Sequence, residues 1–193
     1  MKACLLIIDV QKGFDDTNFW GERNNTNAEE NMLLLLGAFR EVGLPIFHVQ
    51  HQSENENSPL HPSKLGYQLK TGFEPKTEEP LFIKNVNSAF IGTNLKETLE
   101  KEMIKHIVVI GLTTNHCVST TTRMAANYGY RVSLIHDATA AFSIHSYNGT
   151  VFSAQDVHES ALAHLHQEFA EIISTDEALS RWGSISSYMQ YQT

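Results

Sequence analysis

The sequence predicts an α/β protein in which helices cover both faces of a parallel sheet, and three observations carry that prediction. Short apolar runs without polar alternation recur along the chain, as expected of strands buried on both faces of such a sheet. Segments with apolar residues at helical spacing separate those runs, and neither an internal repeat nor a low-complexity tract interrupts the alternation. At 193 residues the chain has room for one domain of this kind with a full core, so a single domain over 1–193 is expected.

The first run, ACLLII at residues 3–8, ends at Asp9. It reads as a central strand delivering a carboxylate at its C-terminal edge, although an Asp there can also simply cap a loop. Residues 11–25 mix Phe14, Phe19 and Trp20 with Asp and Asn and follow neither period, so they read as a loop with large side chains. Thr26-Asn27-Ala28-Glu29 fits a capping box, and Met32, Leu33, Leu36, Phe39 and Val42 follow at helical spacing until Gly43-Leu44-Pro45 stops the helix. A second strand is expected at 46–49. Residues 50–80 are rich in Ser, Asn, Pro and charge and form a segment much longer than an ordinary loop. Leu60, Leu65, Tyr67, Leu69 and Phe73 give it something to bury, which favours a cover on the substrate side. A third strand, LFI at 81–83, ends at Lys84, a position that is ordinarily a solvated strand end, and NVNSAFIGT then leads into a helix near 94–103.

Residues 107–128 are the most informative stretch. IVVI ends at Gly111, the turn LTTNH follows, and from Cys117 the residues Thr121, Met124, Ala125 and Tyr128 recur at roughly helical spacing up to Gly129. Cys117 is therefore expected in the first helical turn, where unpaired N–H groups and the positive end of the helix dipole favour a thiolate. The same residues also fit a buried, inert cysteine. A fifth strand at 131–136 ends at Asp137, and the tight stretch DATAAF follows. Ser153-Ala154-Gln155-Asp156 then opens a helix with Val157, Ala161, Leu162, Leu165 and Phe169 on one face. Glu171-Ile172-Ile173 supplies a sixth strand, and the tail over about 181–193 is expected to be mobile or to dock on another subunit.

Composition excludes several classes of partner. Lys and Arg total 14 against 22 Asp and Glu, a formal charge of −8, which argues against nucleic acid or an anionic membrane. The two cysteines, Cys4 and Cys117, do not make a disulfide scaffold, and the N-terminal apolar run is too short to span a membrane, so a cytoplasmic protein is expected. In a parallel sheet ligands bind outside the carboxyl ends of the strands, where Asp9, Lys84 and Cys117 all fall. A thiol, a carboxylate to take its proton and a cation to hold the charges form a nucleophile constellation if they meet, which spacing alone does not establish.

The blocks LLIIDVQKGF, IKNVNSAFIGTNL and IVVIGLTTNHCVSTTTRMAANYGYRVSLIHDATAAF resemble the signatures of the isochorismatase-like cysteine hydrolases, and the likeness runs over about 3–173. The resemblance implies a three-layer, Rossmann-like α/β/α sandwich around a six-stranded parallel sheet. It also implies a catalytic triad of Asp9, Lys84 and Cys117, a cis peptide between Leu112 and Thr113, and an oxyanion hole made by the Thr113 and Cys117 backbone N–H groups. Nicotinamidases of this superfamily bind a divalent metal through an Asp-x-His motif at the second strand end. Here Gln50-His51-Gln52 stands in its place without the leading Asp, so no metal and no cofactor are expected, and His51 and His61 read as loop residues.

Phe14, Trp20 and Phe90 leave the same sheet edge as the triad and are expected to wall the pocket, with packing on neighbouring loops as the alternative. His116 faces the pocket or points outward. The leading function is metal-independent hydrolysis of a carbonyl C–N bond in a small amide, carbamoyl or ureido substrate through a Cys117 thioester. An isochorismatase-type vinyl ether hydrolase and a catalytically silent binding protein are the alternatives. Family members are commonly oligomeric, so a homodimer or homotetramer is expected.

Overall fold

The computed structural model describes residues 2–183. Six parallel strands form the central sheet in the order β3-β2-β1-β4-β5-β8, with β1 at Ala3–Ile8, β2 at Ile46–His51, β3 at Leu81–Lys84, β4 at His106–Leu112, β5 at Arg131–Ala140 and β8 at Glu171–Ile173. A separate two-stranded hairpin, β6 (Ile144–His145) with β7 (Val151–Phe152), follows β5. The chain winds outward from β1 through β2 to β3, then returns to the other side of β1 with β4. The junction of β1 and β4 is thus a topological switch point, the place in an open parallel sheet where the strand ends leave a crevice.

Alternation along β1 feeds two cores. Leu5 and Ile7 pack on one face with Met32, Leu35, Leu36 and Phe39 of α2 (Ala28–Val42) and with Ala178 and Leu179 of α6 (Thr175–Trp182). Cys4, Leu6 and Ile8 pack on the other with Leu95 and Leu99 of α3 (Leu95–Lys101), Ala125 of α4 (Ser119–Asn127) and Leu162 and Leu165 of α5 (Ala154–Leu165). This is the expected three-layer sandwich.

Several local expectations are corrected. Residues 11–25 are not featureless: a 3-10 turn at Lys12–Asp15 and one helical turn, α1 at Thr17–Trp20, hold Phe14 and Trp20 in place. The capping box at Thr26 does not form. Asn27, not Thr26, occupies the N-cap and makes no side-chain cap hydrogen bond, and the Glu29 carboxylate that the box would use is engaged by Arg23 and Lys70. β3 is an edge strand with one bare face, leaving Leu81 and Ile83 exposed while Phe82 and Lys84 are buried. β5 runs on to Ala140 after a register shift between Val109 and Gly111 of its partner β4, so DATAAF is largely strand. Phe169 lies beyond the end of α5, which stops at Leu165.

The start of the tail is helical. Arg181 pairs with Glu171 at 2.7 Å, and the Trp182 ring packs against Phe39 and His106. The rest of the expected tail, 184–193, lies outside the described residues. Within the long segment 50–80, Leu60 and Phe73 are buried, whereas Leu65 is 79% exposed and Tyr67 and Leu69 are half-buried. The segment is fastened by two buried amides, since Gln11 Nε2 donates to Tyr67 O at 2.8 Å and Gln50 Nε2 to the same oxygen at 2.7 Å. Among the described residues no helix is long and apolar enough to cross a membrane.

At the switch point β1 and β4 approach closely. Gly111 has φ +125°, and a Cβ on it would lie 2.1 Å from the Ile8 carbonyl oxygen. Glycine is the residue that tolerates both the backbone angle and the proximity.

Candidate active site

Three strand ends deliver three side chains to one point. Asp9 follows β1 directly, held at φ +53°, a left-handed conformation uncommon for a residue with a side chain. Lys84 ends β3, and instead of a solvated end it is 1% exposed. Its ammonium donates to Asp9 Oδ2 at 2.7 Å and to Cys117 Sγ at 3.2 Å. Cys117 sits in a π-helical turn, Thr114–Val118, that joins β4 to α4, and the Leu112–Thr113 peptide just before it is cis. A fully buried carboxylate and ammonium are tolerable together because each neutralises the other; removing either partner would leave a bare charge in the interior.

The electrostatics of the thiol differ from the sequence-based expectation. Burial, followed by the charge of Asp9, pushes the Cys117 thiol well above the ordinary cysteine range, and Lys84 only partly opposes them. Cys117 is 8% exposed, so the loss of hydration outweighs the ammonium. The resting site therefore holds a protonated thiol beside a carboxylate. Asp9 Oδ1 is buried without a hydrogen-bond partner, an open acceptor next to a group that has a proton to lose.

Two sets of residues in this region were missed from sequence. His51 ends β2 as the register partner of Lys84 and places Nδ1 3.1 Å from the Lys84 ammonium. Parity along the strand was the available signal. Phe47, Val49 and His51 alternate on the face that carries Phe82 and, one step on, Lys84. The second set braces the Cys117 turn from behind: the buried His158 ring lies 2.9 Å from Thr114 Oγ1, and Asn25 Nδ2 donates to His136 O and Thr139 O. No motif marks these residues, whose role depends on contacts 44 to 114 positions apart in the chain.

The aromatic candidates separate. Phe14 stacks on Phe142 at 6.1 Å and packs tilted against Trp20 at 4.9 Å, and Trp20 Nε1 donates to Gly13 O. Phe14 belongs to the core on the α2 face, opposite the core that contains Cys117. Phe90 shares the Cys117 core and packs edge-on against Tyr128 at 5.3 Å. His116 is exposed, with Nδ1 3.2 Å from Thr113 Oγ1. On the outer side of the same turn, Asn115 and Ser119 border a groove of about 670 Å³ whose far wall includes Phe152 of the hairpin.

The donor set for a metal of the Asp-x-His type is not in place. The Gln50 side chain is committed to Tyr67 O, and His61 Nδ1 pairs with Ser63 Oγ at 2.8 Å. Among the described residues Asp9, His51 and Cys117 bring ligand-type atoms within 4.8 Å of one another, but these atoms converge on the Lys84 ammonium, which takes the central position a cation would need.

Comparison with known proteins agrees with this architecture. Residues 3–177 match the family model described as the Isochorismatase domain. The uncharacterized isochorismatase family protein YrdC of Bacillus subtilis is 48% identical over 93% of this chain and 95% of its own. Nicotinamidase 3 of Arabidopsis thaliana is 29% identical over 91% of this chain and 86% of its own. A solved structure of an isochorismatase-family protein from Chromobacterium violaceum superposes with a TM-score of 0.89 at 37% identity, covering 93% of this chain and 92% of that one.

Proposed function

The chain belongs to the isochorismatase family of hydrolases, and from that premise we propose that it cleaves a carbonyl C–N bond of a small amide, carbamoyl or ureido compound through a Cys117 thioester. One observation carries the reading: a buried ammonium bridges a carboxylate and a thiol at the switch point of the sheet. Asp9 takes the proton from Cys117 as sulfur attacks the carbonyl carbon, so charge separation is confined to the moment of attack. The backbone N–H groups of Thr113 and Cys117 receive the oxyanion. Asp9 returns the proton to the nitrogen as the C–N bond breaks, and an amine or ammonia leaves. Asp9 then takes a proton from water, which attacks the thioester, and the sulfur leaves as thiolate to recover the proton. Lys84 keeps a positive charge beside both the carboxylate and the sulfur throughout.

Nicotinamidase 3 is an amidase by name, which supports C–N cleavage as the class of reaction without carrying its substrate over. The Gln50 and Lys84 contacts support a route that draws on protein groups alone. Ammonia release from a panel of carbamoyl, ureido and carboxamide compounds, followed by mass spectrometry of the quenched enzyme, tests the proposal. Cys117→Ala is expected to lower turnover by about a thousandfold or more, with the acyl adduct lost from Cys117. Turnover retained in Cys117→Ala would overturn the covalent route.

A further inference from the structure

We propose that His51 is a positioning residue: by accepting the third hydrogen bond of the Lys84 ammonium at Nδ1, it holds that ammonium against both Asp9 and Cys117. The inference rests on the hydrolase reading above and concerns how the site keeps its cation in place. An ammonium has three N–H donors and no acceptor. Asp9 Oδ2 at 2.7 Å, His51 Nδ1 at 3.1 Å and Cys117 Sγ at 3.2 Å use all three, and the Lys84 side chain is wholly buried, so water cannot replace any of them.

The partner also fixes the state of the imidazole. Since Lys84 can only donate, Nδ1 must be the bare nitrogen, and the proton of the neutral ring resides on Nε2. The main chain of His51 is held as tightly, its N–H donating to Gln11 Oε1 at 2.9 Å and its carbonyl accepting from Gln11 Nε2 at 3.0 Å. The titratable groups facing the ring are Asp9 from β1, Lys84 from β3 and Cys117 from the turn after β4.

Burial, and after it the Lys84 charge, hold the imidazole below its ordinary range, with Asp9 opposing them. His51 is thus neutral at neutral pH. In acid, below the usual imidazole range, protonation would set an Nδ1–H against the ammonium and release it from the thiol.

The test is the pH dependence of Cys117 alkylation by iodoacetamide in the full-length protein, read by mass spectrometry and independent of any substrate. His51→Leu, which removes the acceptor, is expected to slow alkylation near neutral pH about tenfold and to move the profile about one unit to the alkaline side. His51→Asn, whose amide oxygen can reach the Nδ1 position, is expected to recover most of that loss. Wild-type profiles in both variants would overturn the proposal, as would equal losses in Leu and Asn variants that melt at the wild-type temperature. If His51→Leu fails to fold, His51→Asn and His51→Phe carry the same comparison. Failure of the hydrolase reading would show separately, as turnover retained in Cys117→Ala.

Discussion

Two histidines on β2, three residues apart, enter two different buried charge clusters, and the clusters are built to opposite rules. At His48 everything is matched. Glu79 accepts from Arg40 Nε at 2.7 Å, from Arg40 Nη2 at 2.8 Å and from the Lys76 N–H at 3.0 Å, with His48 Nε2 2.9 Å away. At His51 the cation is saturated but the anion is not, since Asp9 Oδ1 has no partner. A saturated cluster holds structure together, whereas one with an open acceptor next to a protonated thiol is poised to move a proton. Burial alone does not distinguish them; the unmet hydrogen bond does.

The sharpest way to break that distinction is Asp9→Asn. Removing the proposed base is expected to lower hydrolysis by about 10²- to 10⁴-fold. The same change removes a charge that pushes the thiol up, so iodoacetamide alkylation near neutral pH is expected to hold or rise. Parallel loss of both would mean that Asp9 only supports the fold. Glu79→Gln should behave in the opposite way, costing about 2 kcal/mol of stability by denaturant unfolding with turnover near wild type. Arg40 and the other donors hold the Glu79 carboxyl down at about 2 against an ordinary value of 4.5. Its stabilisation is therefore complete above the unfolded value and fades as pH falls from there toward about 2. Thermal melts over that window should show wild type losing an advantage that Glu79→Gln lacks. A baseline remote from both clusters is the Ser174 capping box, which closes the N-terminus of α6. Ser174→Ala is expected to cost about 1 kcal/mol and to leave turnover unchanged.

The elements that could be read from sequence were those decided by local pattern. The β1 and β4 runs are apolar throughout because both faces of those strands are covered, and α2 ends where Gly43 adopts φ +68°. Ser153 caps α5 as expected, accepting from the Asp156 N–H. Asp9, Lys84 and Cys117 could be named because strand-end chemistry and signature blocks coincide, but their distances could not. The thiol's environment was read in the wrong direction, since the sequence displays the helix start and the lysine while concealing how little water reaches Cys117. The Thr26 capping box is absent and its Glu29 is engaged by Arg23 and Lys70, partners outside the helix that local pattern cannot weigh. His51 was set aside as a loop residue because β2 runs two positions further than its apolar run suggests.

The missing side chain at Gly111 makes that position a gauge. Its absence lets β4 press against the Ile8 backbone, and Ile8 is the residue that carries Asp9. A methyl group there would have to push β1 aside at the point where Asp9 and the Cys117 turn are spaced. In a saturation library sorted for turnover, position 111 should therefore admit almost no replacement. Gly129, with open space where its Cβ would lie, carries only the strain of its backbone angle and should tolerate the change to Asn. Mutational tolerance thus becomes a ruler for a distance inside the site: the chain's freedom to vary is smallest where an ångström of backbone displacement is felt by the chemistry.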